Sequence, residues 1–363
     1  MIADTHRSIS GNASKNETSN VFKFIVASLA AAFALSMSDR ASAHHSASVY
    51  YDTSTIIAVR DVLTDVRWHN PHIAFTLLSR EDGAEVEWLV ESNSVSSLRH
   101  LGVTEDQLTP GALVTVAGWA SRREPYRMSG NNVLLPGNRE IVLWGSSAYH
   151  FSDESYERLS VADVEARNLP DASGLGLFRI WSTLTGDSNQ DRLWASDYPL
   201  TADAISAQQN WDPFLDNPAI RCEPKGMPGI IDPPYPMEFV DQDDIILIRQ
   251  EEFDTVRTVY MNPGSAENDP DPGILGHSTG SWEGDTLVIE TTHISWPYLD
   301  NRGLPLSQEA RLQERYTVSP DGRRLYLDMT VTDPQFLSEP IELDRFWLWI
   351  PENTVQPYNC TPL

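Results

Sequence analysis

The stretch RLQERYTVSPDGRRLYLDMTVTD, residues 311–333, decides the fold. On each side of Pro320-Asp321-Gly322 the side chains alternate with period two. Leu312, Glu314 and Tyr316 share one face of the first run, and Tyr326, Asp328 and Thr330 share one face of the second. Alternation interrupted by a turn triplet is the pattern of a β-hairpin, and no stretch here is long enough for a crossover helix. The same pattern extends both ways. IILIRQ (245–250), TVRTVYM (255–261), TGSWEG (279–284), DTLVIETTHIS (285–295) and IELDRFWLWI (341–350) read as further strands, with Glu283-Gly284-Asp285 as another turn. Successive hairpins predict an antiparallel up-and-down, lipocalin-like barrel or curled sheet over 241–363, an architecture able to enclose a small molecule.

Upstream, short β-rich runs recur. TIIAVRDVLTDVRWHNPHIAFTLLS (55–79) reads as two strands broken at Asn70-Pro71, and AEVEWLVES (84–92) as a third. SVSSLRHLGV (94–103) reads as a short helix capped by Ser94 or Ser96 and stopped by Gly102. LTPGALVTVAGWAS (108–121) and NNVLLPGNREIVLW (131–144) supply a strand and a closing hairpin. Five or so strands with one small helix predict a small OB-like barrel over 44–148. Between the barrels, 149–240 reads as a connector. It holds two helical stretches, ESYERLSVADVEARN (154–168) and LTADAISAQQNW (200–211, capped by Thr201). A lead-in made rigid by Pro213, Pro218, Pro224, Pro228, Pro233, Pro234 and Pro236 follows. The fold class is therefore all-β with few short helices.

Charge and leader narrow the function. Lys plus Arg number 26 against 52 Asp plus Glu, a net charge of −26, which argues against affinity for nucleic acid or anionic lipid. Residues 1–43 read as a signal peptide: Lys23 is the charged lead, FIVASLAAAFALSM (24–37) the apolar core, and Ala41-Ser42-Ala43 the cleavage motif. The protein is thus expected to be periplasmic or secreted, with no membrane span after removal of the leader. In an oxidising compartment, Cys222 and Cys360 are expected to form one disulfide, with two unpaired thiols as the alternative.

Cleavage after Ala43 makes His44 the N-terminus. Its amine and imidazole can chelate one metal, with His45 beside it and His69 or His72 supplying further nitrogen. Such nitrogen sets suit copper, and imidazole also suits zinc. A second constellation, Glu290, Glu314, Tyr260 and His277, offers acid–base chemistry if one cavity gathers the four, because desolvation moves a carboxyl group's pKa toward neutrality. The same carboxylates can instead pair with Arg257, Arg315 or Arg345. Trp282, Trp296, Trp347, Trp349, Tyr298 and Phe346 serve either as barrel core or as a ligand-lining surface. The pentapeptide GHSTG (276–280) has the spacing of a nucleophile elbow, but a hairpin follows it where that motif requires a helix. The acidic runs DQDD (241–244) and ENDPDPG (267–273) lack the ordered spacing of a calcium loop.

The segments AHHSASVYYD, WHNPHIAFTLL, VEWLVES and LTPGALVTVAGW together resemble a family of small exported bacterial proteins of uncharacterised function, whose mature chains begin His-His-Ser and carry Asn-Pro-His. The second half, with DNPAIRCEPKGMP, PPYPMEF, GHSTGSWEGDTLVIETT and the terminal YNC, resembles another uncharacterised exported family. It departs from that family in lacking a His-Pro shortly after VRTVYM. The resemblances imply export and a β-rich fold and name no reaction. Together the readings lead to an exported envelope protein binding a small molecule, a transition-metal ion, or both. The alternative is a cofactor-independent hydratase, isomerase, lyase or cyclase acting on an apolar molecule in the second barrel. A purely structural envelope role is a third class.

Overall fold

Alternating side chains produce two closed or nearly closed sheets. The computed structural model describes residues 50–361 apart from 82, 146, 154–163, 165–168, 185–192, 195–196, 213–214 and 263–270. The leader, His44, His45, all but Val164 of the helix expected at 154–168, and most of the run at 267–273 lie outside these residues. All described residues belong to one compact unit, His44–Leu363.

The first sheet contains β1 (Tyr51–Arg67), β2 (Ala74–Glu81), β3 (Ala84–Glu91), β4 (Leu113–Ser121), β5 (Arg127–Leu135) and β6 (Arg139–Val142). β1 pairs antiparallel with both β2 and β4, β2 with β3, and β4 with β5, while β3 and β5 pair in parallel. The ring β1-β2-β3-β5-β4 is therefore closed, as an OB-like barrel requires. Its interior holds Leu63, Phe75, Leu77, Val90, Val116, Met128 and Val133, which come from every strand of the ring. Helix α1 (Val95–His100) stands between β3 and β4, its N-terminus capped by Ser94 Oγ accepting from Ser97 N at 3.1 Å. Leu98 is fully buried and packs into the same core.

The second sheet has nine strands. β7 (Ile180–Trp181) lies inside the stretch read as a connector, as does helix α2 (Ala202–Gln209), capped by Thr201. β8 (Met237–Gln242), β9 (Ile245–Gln250) and β10 (Thr255–Tyr260) follow, then β11 (His277–Glu283), β12 (Thr286–Thr292), β13 (Arg311–Val318), β14 (Arg324–Thr332) and β15 (Ile341–Leu348). Neighbours in the sheet follow chain order from β7 to β15, as an up-and-down succession demands. One junction departs from it: β10 and β11 run parallel, through Val259–Ser278 and Tyr260–Thr279. Past β7, Ser182 and Leu348 exchange two backbone hydrogen bonds of 2.9 and 2.7 Å, which nearly closes the ring.

The interior of this barrel is filled. Trp181, Trp347, Phe239 and Tyr316 are fully buried and pack with Ile289, Leu312, Leu327 and Met329. Of the aromatic set, Trp347 and Trp296 are core, whereas Trp282 is 45% exposed and stacks edge-on against Phe178. The turn between β13 and β14 also has a structural duty. Gly322 has φ +71°, and a Cβ there would stand 2.1 Å from the Ala172 carbonyl oxygen. Only glycine lets the connector lie against this hairpin. The Cys222–Cys360 disulfide is formed, with a Cα–Cα distance of 5.8 Å.

Candidate functional site

The loop joining β1 to β2, residues 68–73, carries Trp68-His69-Asn70-Pro71-His72-Ile73, with a cis Asn70-Pro71 peptide. Ile73 is fully buried; its N–H donates to Asn93 O and its carbonyl accepts from Ser92 N, both at 3.0 Å. Asn70 is 3% exposed and fully engaged. Its Oδ1 accepts from Val95 N at 3.0 Å, its Nδ2 donates to Tyr358 O at 2.7 Å, and its carbonyl accepts from Thr361 N at 2.9 Å. The loop is therefore held between the start of α1 and the end of the chain.

The two histidines of this loop share a feature. His69 Nδ1 lies 3.3 Å from Asn70 O, and His72 Nδ1 lies 2.8 Å from Ser92 O. A carbonyl oxygen only accepts, so each Nδ1 must carry a proton, and in the neutral ring that tautomer keeps the lone pair on Nε2. For His72, the protein crowded around it lowers the pKa although part of the residue reaches solvent, and the Lys225 charge adds to this. The Ser92 hydrogen bond opposes both. The ring is thereby biased toward the neutral form that binds metals.

Beside the loop lies a buried acidic cluster that the sequence reading missed. Glu251 and Glu252 follow β9 and are 0% and 4% exposed. Lys225 Nζ donates to Glu252 Oε1 at 2.8 Å. Gln356 N donates to Glu251 Oε2 at 3.0 Å, with Arg99 Nη1 3.6 Å from the same oxygen. Burial raises both carboxyl pKa values against the pull of these partners. Glu252 borders a void with room for about one water, together with Tyr235, Gln250 and Trp347. The Tyr235 and Tyr358 hydroxyls stand 3.4 Å apart, and burial raises both phenol pKa values. Two glutamates in a tight turn ordinarily read as solvated. The available signal was Lys225, the only lysine after residue 43.

The four residues read as acid–base candidates are not gathered in one cavity. Glu314 points into the barrel, whereas Glu290 pairs in register with Gln313, on the opposite face of the sheet. Glu314 is fully buried and accepts from both terminal nitrogens of Arg257, and from Tyr316 OH at 2.8 Å. Arg257 also donates to Ser278 Oγ at 3.0 Å and Thr291 Oγ1 at 2.6 Å. Glu290 is exposed and accepts from Gln313 Nε2 at 2.5 Å. Tyr260 and His277 stack with ring centroids 5.2 Å apart and are only half-buried. Strand parity separates the set: Glu314 is an odd step from the register line that carries Tyr260, Thr279 and Glu290. In GHSTG, Ser278 lies within β11 with its hydroxyl held by Arg257, so it forms no elbow.

Among the described residues, no three His, Cys, Asp or Glu side chains stand together as a ready metal set. No helix among them is long and apolar enough to cross a membrane. Residues 32–128, which cover most of the first barrel, match a family of unknown function (DUF6152), in agreement with the resemblance of this half to an uncharacterised family. No curated protein matches the chain.

Proposed function

We propose that the chain is an exported protein, periplasmic or secreted, that binds a transition-metal ion at the β1–β2 loop of its first barrel. One observation carries this reading: His69 and His72 each give their Nδ1 proton to a backbone carbonyl and so present Nε2 as a donor. Outer hydrogen bonds of this kind orient metal-binding imidazoles and raise their basicity. The two rings need further donors. The amine and imidazole of His44, with His45, would supply them once cleavage after Ala43 has freed that terminus. Nitrogen donors favour copper, with zinc second. The disulfide and the leader sequence support an oxidising location.

The test is copper titration of protein whose N-terminus is verified as His44. Expected is uptake of one ion, lowered by His69→Ala and His72→Ala and by a single glycine added before His44, which displaces the chelating amine. Absence of bound copper at equimolar metal would overturn the proposal. A small-molecule ligand in the second barrel finds less support, because aromatic and aliphatic side chains occupy its interior.

A further inference from the structure

After β15 the chain runs on as a strap, residues 351–361, that touches both barrels in turn. Of its side chains only that of Tyr358 is buried. Three hydrogen bonds lead to the first barrel. Asn353 Nδ2 donates to His100 Nε2 at 3.3 Å, Asn70 Nδ2 donates to Tyr358 O at 2.7 Å, and Thr361 N donates to Asn70 O at 2.9 Å. The ties to the second barrel are of a different kind. Gln356 N donates to Glu251 Oε2 and Tyr358 N to Asp254 Oδ1, the Tyr358 ring packs against Tyr235 and Phe253, and Cys360 is bonded to Cys222. The segment after Cys222 belongs to the second barrel as well: Met227 lies in its core and Lys225 pairs with Glu252.

We infer that the strap is a fixture of the second barrel and a latch on the first, with Asn70 as the catch, so that the two barrels part at Asn70 while the strap stays with the second. The first-barrel ties are hydrogen bonds between neutral groups, each of small net worth once water can replace the partner. On the other side stand a covalent bond, a buried ring and two N–H bonds to carboxylates, which are the stronger class. The rest of the seam is polar too: Arg99 Nη1 lies 3.6 Å from Glu251 Oε2. Contacts that are polar rather than broadly hydrophobic permit barrels to move against each other. The two hydrophobic cores are separate clusters, so opening the latch leaves both closed. It uncovers Arg99, His100 and the buried carboxylate of Glu251. No metal takes part in this motion.

The test is nitrogen-15 relaxation on the whole mature chain, which reports the tumbling time of each barrel. Asn353→Ala/Thr361→Pro cuts two latch bonds without touching either barrel. Asn70→Asp keeps the acceptor for Val95 N but removes the donor to Tyr358 O. Cys222→Ser/Cys360→Ser leaves the latch whole. Expected is one shared tumbling time in the wild type and in the cysteine variant. In both latch variants that time splits in two, with the smaller first barrel faster and the amides of Gln356 and Tyr358 following the second. Two times in the wild type would overturn the inference, as would a single time in the latch variants, a split in the cysteine variant, or strap amides that follow the first barrel. Should Asn70→Asp fail to fold, the strap variant decides alone, because its substitutions lie at exposed or half-buried positions outside both barrels.

Discussion

Removing the Glu314 carboxylate should destabilise the fold severely without any change of surface. In Glu314→Ala, Arg257 stays 3% exposed with its charge uncompensated, keeping only neutral hydroxyl partners at Ser278, Thr291 and Tyr316, and the buried Tyr316 hydroxyl loses its carboxylate acceptor. Breaking one side of a buried ion pair costs about 3–5 kcal/mol. Replacing both partners by apolar groups of similar volume, Arg257→Met with Glu314→Leu, should recover most of that loss, because such exchanges are often neutral or stabilising by about 1–4 kcal/mol. Equilibrium urea unfolding measures both: the single variant should unfold at a much lower midpoint with an unchanged slope, and the double variant should return toward wild type. A single-variant cost below about 1 kcal/mol would refute the reasoning, since a cost that small belongs to a solvated pair. Such a result would reopen a chemical role for Glu314.

Two more predictions concern stability. His100, at the end of α1, has its pKa lowered to about 4 by burial and by Arg99, and its Nε2 lies 3.3 Å from Asn353 Nδ2. A depressed histidine pKa means that the unfolded chain binds more protons between pH 6.5 and 4, so stability falls as pH falls through that window, by at most about 3 kcal/mol. Glu251 and Glu252 have raised pKa values and push the other way. The informative quantity is therefore the difference between wild type and His100→Gln in urea midpoint at pH 7, 5 and 4, which should shift in favour of the variant on acidification. Gly322→Ala forces a Cβ against Ala172 O at positive φ and should cost about 1–3 kcal/mol by thermal unfolding. A cost near zero would mean that the connector does not lie against the hairpin.

The hairpins were legible because their alternation is set by burial of one face, as in residues 311–333, and the first barrel because each strand is punctuated by turn residues. β7 was not legible: two residues, Ile180 and Trp181, carry no period, and only the partner strand β8 and the Ser182–Leu348 bridge define it. Parity along each strand was readable, but the offset between β12 and β13 was not, and that offset put Glu290 and Glu314 on opposite faces. The histidine loop could be named from WHNPH, yet its second partners, Ser92 and Thr361, lie far along the chain. Glu251 and Glu252 escaped notice because their burial comes from the strap and from α1, which no local pattern reports.

The bridge that nearly closes the second barrel has a consequence for how the chain matures. Ser182 directly follows the first strand of that sheet, and its partner, Leu348, ends the last. Until β15 has been made, each newest strand offers an unpaired row of N–H and C=O groups, the kind of edge on which aggregation starts. Late closure leaves the growing sheet exposed, and the seam, once made, is joined through the Ser182–Leu348 bridge. A chain truncated just before β15 should therefore be found mainly in insoluble material.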